Sequence, residues 1–205
     1  QGRHRVLDVA VAPTVGPKLF TAFFESALAE VPSIEIKMHS LGASEDTSEV
    51  LSGKYHACIL PRETRPDRKL DVRPLFRERF VLGCSAKHPL AASDIVRGED
   101  LLEFPFVDRL KCEFREQILD HFARREVLMR PRFRSDRDDW VQRVVAEGEA
   151  ICILPERSAT AQGLVTRPID GFVLEREVVI ATVSGSTAPV EIRKIAQMAA
   201  RYAWN

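Results

Sequence analysis

The sequence predicts an α/β protein made of two similar lobes, with a ligand cleft between them. Two observations lead to this prediction. A helix pattern that ends at a glycine and runs into a short apolar strand closed by proline occurs twice, over residues 44–61 and 135–155. A charged cluster followed by a β-branched strand also occurs twice, over 77–84 and 175–182, as expected of two connections that cross between lobes. Ligands of such proteins bind at strand ends, in the cleft.

The composition is typical of a soluble globular protein. The chain has 205 residues, of which 45% are hydrophobic and 29% are charged, so it is long enough for one large or two small domains. The 30 Lys and Arg residues balance 30 Asp and Glu residues, and the chain therefore lacks the basic excess that gripping a nucleic-acid backbone requires. No apolar run approaches the ~18 residues of a membrane span, so no membrane partner is expected.

The side chains predict neither an enzyme nor a bound metal or cofactor. The cysteines have no metal-type spacing, and three of the four lie in or beside apolar strands, which favours reduced thiols and a cytoplasmic location. The chain shows no Ser-His-Asp order with a nucleophile elbow, no phosphate-binding glycine loop and no plausible carboxylate pair. The five histidines are scattered, and structural or surface roles are expected for them.

The later of the two helix–strand copies gives the clearest local predictions. Ser135 is expected to cap a helix through its hydroxyl. The apolar residues of 140–145 lie at helical spacing, and Gly148 is expected to end the helix with a positive φ. Cys58 and Cys152 are equivalent positions in the two copies. Such units are common in α/β proteins, so a chance similarity is the alternative.

The first loop is a candidate anion site. A predicted strand over 6–12 leads through this loop into a helix predicted over 17–30. The amides of residues 14–16 would point at a ligand above the strand, with the helix dipole behind them. Plain capping of the helix by Thr14 is the alternative, and both roles are compatible. Arg62, directly after the Cys58 strand, is a second candidate for an anionic effector, or else a solvated loop arginine.

Cys112 is the one thiol expected to be exposed. It lies just before a helix predicted over 113–125, with Arg109, Lys111 and Arg115 close in sequence. Positive charge and a helix N-terminus both favour the thiolate, which is the reactive form of cysteine. The alternative is an unreactive thiol near the cleft.

Four segments, in this order, resemble the effector-binding domain of LysR-type transcriptional regulators. Residues 7–14 and the apolar helix after them resemble that domain's first strand and ligand-touching loop. Residues 73–82 and 88–91 resemble its crossover strand and the following turn, and residues 144–155 resemble the glycine-ended helix and strand of its second lobe. The resemblance covers nearly the whole chain and depends on the order and spacing of these motifs together.

The resemblance implies a fold and a set of partners. The fold is two Rossmann-like lobes joined by two crossover strands, the type-2 periplasmic-binding-protein fold, with lobe I over 1–77 and 181–205 and lobe II over 78–180. The implied partners are a small effector in the cleft, a second copy in a homodimer or homotetramer, and RNA polymerase. Promoter DNA would be bound only through an N-terminal winged helix-turn-helix that precedes this sequence.

The resemblance also implies effector-binding residues, some in each lobe. Thr14 and Val15 correspond to the start of the first helix, and Arg62 flanks the first-lobe strand. The full expected set is Thr14, Val15, Gly42, Ser44, Arg62, Phe106, Arg109, Ser135, Asp136 and Glu149. The arginines and helix amides among them favour an anionic effector.

Residues 111–117 are similar to the reactive-cysteine segment of the peroxide-sensing OxyR branch of this family. One residue is inserted after Cys112, and Phe122 then stands where that branch has its resolving cysteine. A disulfide switch is therefore not expected, whereas oxidation of Cys112 alone by an oxidant stays a candidate redox signal. Two other functions stay open: an extracytoplasmic solute-binding protein of the same fold, and a thiol peroxidase centred on Cys112.

Overall fold

The computed structural model of the chain describes residues 4–42, 45–62 and 65–204. The chain divides into two compact units, with residues 1–77 and 176–205 in unit 1 and residues 78–175 in unit 2. The chain therefore passes from one unit to the other twice. The helices and strands, in chain order, are β1 (Arg5–Val11), α1 (Phe20–Glu30), β2 (Ile34–Ser40), α2 (Ser48–Leu51), β3 (Ala57–Pro61), β4 (Leu70–Ser85), β5 (Phe106–Arg109), α3 (Arg115–Ala123), β6 (Pro131–Ser135), α4 (Asp138–Glu147), β7 (Cys152–Pro155), β8 (Leu164–Arg167), β9 (Glu175–Val183) and α5 (Val190–Arg201).

Unit 1 is a mainly parallel sheet with an apolar layer on each face. β1 pairs in parallel with both β2 and β3, and β3 pairs antiparallel with β9. Alternate residues of β3 face opposite sides, so that Ala57 and Ile59 pack with α1 and α5, whereas Cys58 and Leu60 pack with α2. Burial on both faces explains why this strand reads as a continuous apolar run.

Unit 2 repeats the plan of unit 1. β5 pairs in parallel with β6, and Phe106 forms a parallel bridge with Ile151 just before β7. β7 and β8 both pair antiparallel with β4. Ile153 packs with α3, whereas Cys152 and Leu154 pack with α4. Each unit therefore contains one β-α-β-α-β segment whose sheet is completed by an antiparallel crossover strand.

The second passage between units lies between Glu175 and Arg176, whereas the sequence places the lobe boundary between 180 and 181. The reason is the pairing of β9, which is bonded to β3 from Val178 to Thr182. Residues 176–180 consequently belong to unit 1.

The glycines that follow α2 and α4 differ. Gly53 has a φ of +81°, as the helix-ending pattern requires. Gly148 has a φ of −124°, so the prediction of a positive φ there is wrong. A Cβ at Gly148 would lie 3.1 Å from the carbonyl oxygen of Val144, so a close approach to the last turn of α4 favours glycine at this position.

The C-terminal helix α5 ends at Arg201, and Trp204 folds back on it. The indole Nε1 of Trp204 donates to the carbonyl oxygen of Ala199 over 2.9 Å. Its ring packs on Phe20 and Phe23 of α1, with centroid distances of 4.9 and 5.1 Å. This aromatic cluster joins α5 to α1 in the core of unit 1.

Gly83, near the C-terminal end of β4, is a position where the packing admits no side chain. A Cβ there would lie 2.5 Å from Cδ2 of Leu154 and 3.1 Å from Sγ of Cys152. Gly83→Ala is therefore expected to lower the free energy of unfolding by about 1–3 kcal/mol through overpacking. Urea denaturation followed by circular dichroism measures this change.

Gly98→Ala is the matched control, since its Cβ would meet Phe122 at an ordinary 3.8 Å. The control is expected to stay within about 0.5 kcal/mol of the wild type. Equal stabilities of Gly83→Ala and Gly98→Ala would contradict the close packing described for β4 and β7.

Candidate functional site

The carboxyl ends of β1, β2 and β3 lie together at one edge of the unit 1 sheet, because these strands are parallel. The pairing continues beyond the strands: the amide of Ala12 donates to the carbonyl oxygen of Ile59 over 2.9 Å, and the amide of Leu41 donates to that of Val11 over 3.0 Å. The loop that leads from β1 into α1 starts at this edge, where α/β sheets commonly bind ligands.

A pocket of about 460 Å³ opens between this loop, the first turns of α1 and the end of β2. Its volume is that of a small-molecule site. Most of the lining is apolar, and the polar side chains are few. The apolar walls include Val11, Val15, Phe20, Phe24 and Met38, and the polar members are Thr21, His39 and Ser40. Of the residues predicted to bind an effector, Val15 is the one that lines this pocket. We call it the unit 1 pocket.

Arg176 holds the loop from inside. Its Nη1 donates to Oγ1 of Thr14 over 2.9 Å, and its Nη2 donates to the carbonyl oxygen of Thr14 over 2.8 Å. Both residues are only 3% exposed. The first residue of unit 1 after the second passage is thereby bonded to the loop that borders the unit 1 pocket.

The predicted capping of the first helix by Thr14 is wrong. α1 begins at Phe20, and its N-cap residue Leu19 makes no side-chain cap. The amide of Val15, which was expected to face an anion, donates to the carbonyl oxygen of Ala12 over 2.9 Å in a tight turn. The loop is therefore organised by internal hydrogen bonds.

His39 lines the unit 1 pocket and is oriented from behind by Asp8. Its Nε2 lies 2.8 Å from Oδ1 of Asp8. The backbone amide of Asp8 in turn donates to Nδ1 of His56 over 2.9 Å, and the ring of Tyr55 lies 5.3 Å from that of His39. Because these partners fix the imidazole, His39 offers the pocket a polar group in a defined position.

The turn after β2 contains its own anion. The amide of Gly42 donates to Oε2 of Glu45 over 2.5 Å, and the other oxygen of this carboxylate accepts from Lys54. Lys54 and the Gly42 amide hold the pKa of Glu45 below its ordinary value. The predicted ligand contact at Gly42 is thus occupied by Glu45, and the predicted residue Ser44 lies outside the described residues.

Arg62 is paired within unit 1. Its Nε contacts Oε2 of Glu177, and Nε of Arg77 lies 3.2 Å from the other oxygen of the same carboxylate. The amide of Arg62 also donates to the carbonyl oxygen of Glu177 over 2.7 Å. The guanidinium that the sequence offers to an effector is therefore paired with Glu177, whose carboxylate it shares with Arg77.

Arg109 is likewise paired, inside unit 2. It is 3% exposed, and its guanidinium makes two hydrogen bonds to Asp138, of 2.8 and 2.6 Å. A third, of 3.3 Å, goes to the carbonyl oxygen of Ile153. Burial opposes the charge of Arg109, but the charge and hydrogen bonds of Asp138 prevail, so the pKa of Arg109 is raised. Phe106, another predicted site residue, is buried in the core beside α3.

The other predicted residues of unit 2 lie at its surface or edge. The hydroxyl of Ser135 accepts the amide of Arg137 over 3.0 Å, and Arg137 rather than Ser135 is the N-cap of α4, so the predicted cap is wrong. Asp136 is exposed, with one oxygen 3.9 Å from Nζ of Lys111. Glu149 is also exposed, and its carbonyl oxygen lies 3.2 Å from Nε2 of His88.

Cys112 is buried, which corrects the prediction that it is exposed. It packs in the core of unit 2, and α3 begins three residues later, at Arg115. Arg115 makes hydrogen bonds of 2.8 and 2.6 Å to the carboxylate of Asp108. The void that borders Cys112 measures about 10 Å³, roughly the minimum for a single water molecule.

Sequence reasoning missed Arg176 and His39 as parts of the site. Arg176 stands in the charged cluster that the sequence assigns to a crossover, and an arginine directly before an apolar strand is a signal that it could be buried. His39 ends a strand that alternates between apolar and polar residues, next to the predicted ligand loop. Neither signal identifies the partner, because Thr14 and Asp8 are distant in sequence.

The family described as the LysR substrate binding domain matches residues 1–204 of the chain. The chain belongs to this family. The two-lobed α/β fold of type-2 periplasmic-binding proteins is thereby confirmed, and solved structures of LysR effector-binding domains share it. The curated relatives are transcriptional regulators, and the chain spans about half of their length.

Two curated relatives show the range of regulators to which the chain is similar. It is 24% identical over 175 residues to a probable nitrogen assimilation transcriptional activator of Synechocystis, covering 83% of this chain and 54% of that protein. It is 22% identical over 162 residues to the hydrogen peroxide-inducible genes activator of Haemophilus influenzae, covering 77% of this chain and 52% of that protein.

Three solved structures show the same fold at low identity. The reduced OxyR regulatory domain of Pseudomonas aeruginosa has a TM-score of 0.75 at 22% identity, covering 97% of this chain and 98% of that one. The effector-binding domain of QuiR with shikimate has a TM-score of 0.77 at 16% identity, covering 97% of both chains. The CcmR regulatory domain of Synechocystis with 2-PG has a TM-score of 0.78 at 20% identity, covering 97% of both chains.

Within 4–42, 45–62 and 65–204, no group of three or more His, Cys, Asp or Glu side chains is placed to hold a metal ion. None of the described helices has both the length and the apolar character needed to cross a membrane.

The native thiols are expected to react slowly. All four cysteines are buried, and burial raises the pKa of Cys152 to about 12 and that of Cys84 above its ordinary value. Mass spectrometry after a brief pulse of hydrogen peroxide or maleimide should therefore find no fast-reacting thiol in the native protein, and four reactive thiols in denaturant.

The comparison with Cys112→Ser identifies the thiol. This variant should show three reactive thiols in denaturant instead of four, and in the native protein it should react as the wild type does. A single fast addition in the wild type that disappears in Cys112→Ser would contradict the buried position of Cys112 and would favour redox sensing.

Proposed function

We propose that this chain is the effector-sensing domain of a LysR-type transcriptional regulator, and that the effector binds in the unit 1 pocket. The observation that carries the proposal is a cavity of about 460 Å³ at the carboxyl edge of the sheet, beside the loop that resembles the ligand-touching loop of the family. Family membership supports it, as do neighbours of the same fold in complex with shikimate and 2-PG.

The pocket favours a largely apolar effector. Its walls are mainly aliphatic and aromatic, and both arginines on which the expectation of an anion depended are paired with carboxylates, Arg62 with Glu177 and Arg109 with Asp138. A planar or aliphatic molecule with one polar group facing His39 or Ser40 fits this chemistry, because a few placed polar groups orient a ligand in an apolar site.

Arg176 provides a route from the pocket to the connection between the units. The effector contacts the loop that contains Val15, this loop is bonded through Thr14 to Arg176, and Arg176 directly follows the second passage of the chain. An effector that binds one arrangement of this loop more tightly shifts the population towards it. The coupling requires such a difference in affinity.

The partners of the whole regulator are part of the proposal. The domain acts as a homodimer or homotetramer, and promoter DNA is contacted by an N-terminal winged helix-turn-helix, with RNA polymerase as a further partner in the cytoplasm. The solute-binding and peroxidase alternatives have less support, since the relatives are transcriptional activators and Cys112 is buried.

Filling the pocket tests the proposal. A thermal-shift screen of the domain against aromatic and aliphatic acids, alcohols and ketones first identifies compounds that stabilise it. Thr21 is an exposed residue of α1 that lines the pocket, so Thr21→Trp should occupy the cavity without disturbing the core. The affinity for a stabilising compound, measured by calorimetry, should fall by at least about tenfold, and the transcriptional response of the full-length protein should be lost.

Ala22→Trp is the matched control, because Ala22 is the next exposed residue of α1 and does not line the pocket. It should keep both the affinity and the response. Unchanged binding in Thr21→Trp would place the effector elsewhere. A compound could bind the wild type, lose its binding in Thr21→Trp and yet never change transcription in the wild type. This result would support the pocket as a binding site but refute the regulatory role.

A further inference from the structure

A second pocket lies in unit 2, at the C-terminal end of α3. It has a volume of about 520 Å³ and lies between this helix and the segment 172–174 that precedes β9. Arg124, Arg125 and His121 line one side. Val173, with 83% of its surface exposed, lies on the other side. Because all of its lining belongs to unit 2, this pocket is separate from the unit 1 pocket.

Among the residues that the structure describes, the two arginines have no carboxylate partner. In the part of the chain that the structure describes, neither Arg124 nor Arg125 forms an ion pair, although Asp120 stands four residues before Arg124 on the same helix. Arg109 and Arg115 in the same unit are both paired with aspartates, through hydrogen bonds of 2.6 to 2.8 Å. Two cations against one carboxylate give this pocket a positive charge.

The arginine side chains are not needed to cap α3. The carbonyl oxygens of its last turn accept backbone amides: that of Asp120 accepts from Arg124, that of Phe122 accepts from both Arg125 and Val127, and that of Ala123 accepts from Glu126. A positive φ at Glu126 allows the turn after the helix to form these capping hydrogen bonds. Both guanidinium groups therefore stay available to a ligand.

The neighbouring groups hold Arg125 and His121 in place. Arg125 donates to the His121 ring, and its Nη2 lies 3.3 Å from where a Cβ on Gly171 would stand, so glycine makes room for the guanidinium. The His121 ring packs edge-on against Phe172, with a centroid distance of 4.9 Å. Burial, together with the charges of Arg125 and Arg124, lowers the pKa of His121. The imidazole thus reports on the positive charge of the pocket.

We propose that this unit 2 pocket binds a small organic anion, a phosphate ester or carboxylate with an apolar body. Arg124 and Arg125 bind the anionic group by charge-assisted hydrogen bonds, and the apolar body packs on Phe172 and Val173. The domain would then sense two ligands, an apolar one in unit 1 and an anionic one in unit 2. This inference does not depend on the function proposed for the unit 1 pocket.

Phenyl phosphate is a suitable probe, with inorganic phosphate and phenol as its separate halves. Calorimetry on the domain should find binding of phenyl phosphate, weaker binding of inorganic phosphate and none of phenol. Replacing both arginines, Arg124→Ala with Arg125→Ala, should lower the affinity for phenyl phosphate by at least about tenfold, since hydrogen bonds to charged groups are lost. Arg132→Ala, at an exposed arginine of β6 that also forms no ion pair with a described residue, should stay within about twofold of the wild type.

The His121 ring gives a local readout by nuclear magnetic resonance. Phenyl phosphate should raise the pKa of His121, because a bound anion stabilises the imidazolium. The other ionisable groups of the pocket are Asp120 on α3 and Arg124 and Arg125 directly after it, with Asp170 and Glu175 flanking the facing segment.

Three results would overturn the proposal. They are no binding at about 10 mM phenyl phosphate, equal affinity of the double arginine variant, or a His121 pKa that does not respond. Circular dichroism and thermal melting confirm that the variants are folded, and Arg124→Gln or Arg125→Gln can replace the double variant if it is not. Thr21→Trp should leave phenyl phosphate binding at His121 unchanged, so failure of either pocket is distinguished from failure of the other.

Discussion

The buried guanidinium of Arg176 is the interaction on which the candidate site depends. A charge that is almost fully removed from water must be satisfied by hydrogen bonds, and Arg176 meets part of this demand with the hydroxyl and carbonyl oxygens of Thr14. This requirement fixes the loop after β1, and the loop in turn forms one wall of the unit 1 pocket. Because Arg176 begins the unit 1 part of β9, the same hydrogen bonds tie the pocket to the connection between the units.

Charge pairing within each unit decides what the pockets can bind. Glu177 and Asp138 form ion pairs with Arg62 and Arg109, the two arginines that the sequence offers to an anion. Truncating one partner of a buried pair such as Arg109–Asp138 leaves the other charge buried and uncompensated, which destabilises the fold. We therefore assign this pair a role in stability rather than in binding. Among the described residues, Arg124 and Arg125 at the end of α3 form no ion pair and line a pocket, so the chemistry of the two pockets differs: apolar in unit 1 and cationic in unit 2.

The fold was predictable from the sequence, whereas most of the site was not. Helix and strand patterns are local, so the duplicated units around Cys58 and Cys152 could be read directly, as could the two crossovers. The loop between β1 and α1 was also placed correctly at the edge of the sheet. The role of each polar residue depends on a distant partner: Thr14 on Arg176, and Arg62 on Glu177. No local pattern specifies such partners, and the burial of Cys112 likewise follows from packing in the core of unit 2.

Amide chemical-shift mapping, which locates the effector on the domain, is the most direct test of the proposed effector site. The domain would be titrated with the compound that stabilises it most in the thermal screen. If the effector binds in the unit 1 pocket, we expect the largest shifts at residues that line it, namely Val15, Gly16, Thr21, His39 and Ser40. Shifts confined to unit 2, with residues 12–24 and 38–40 unchanged, would contradict the claim that the effector is sensed at the loop held by Arg176.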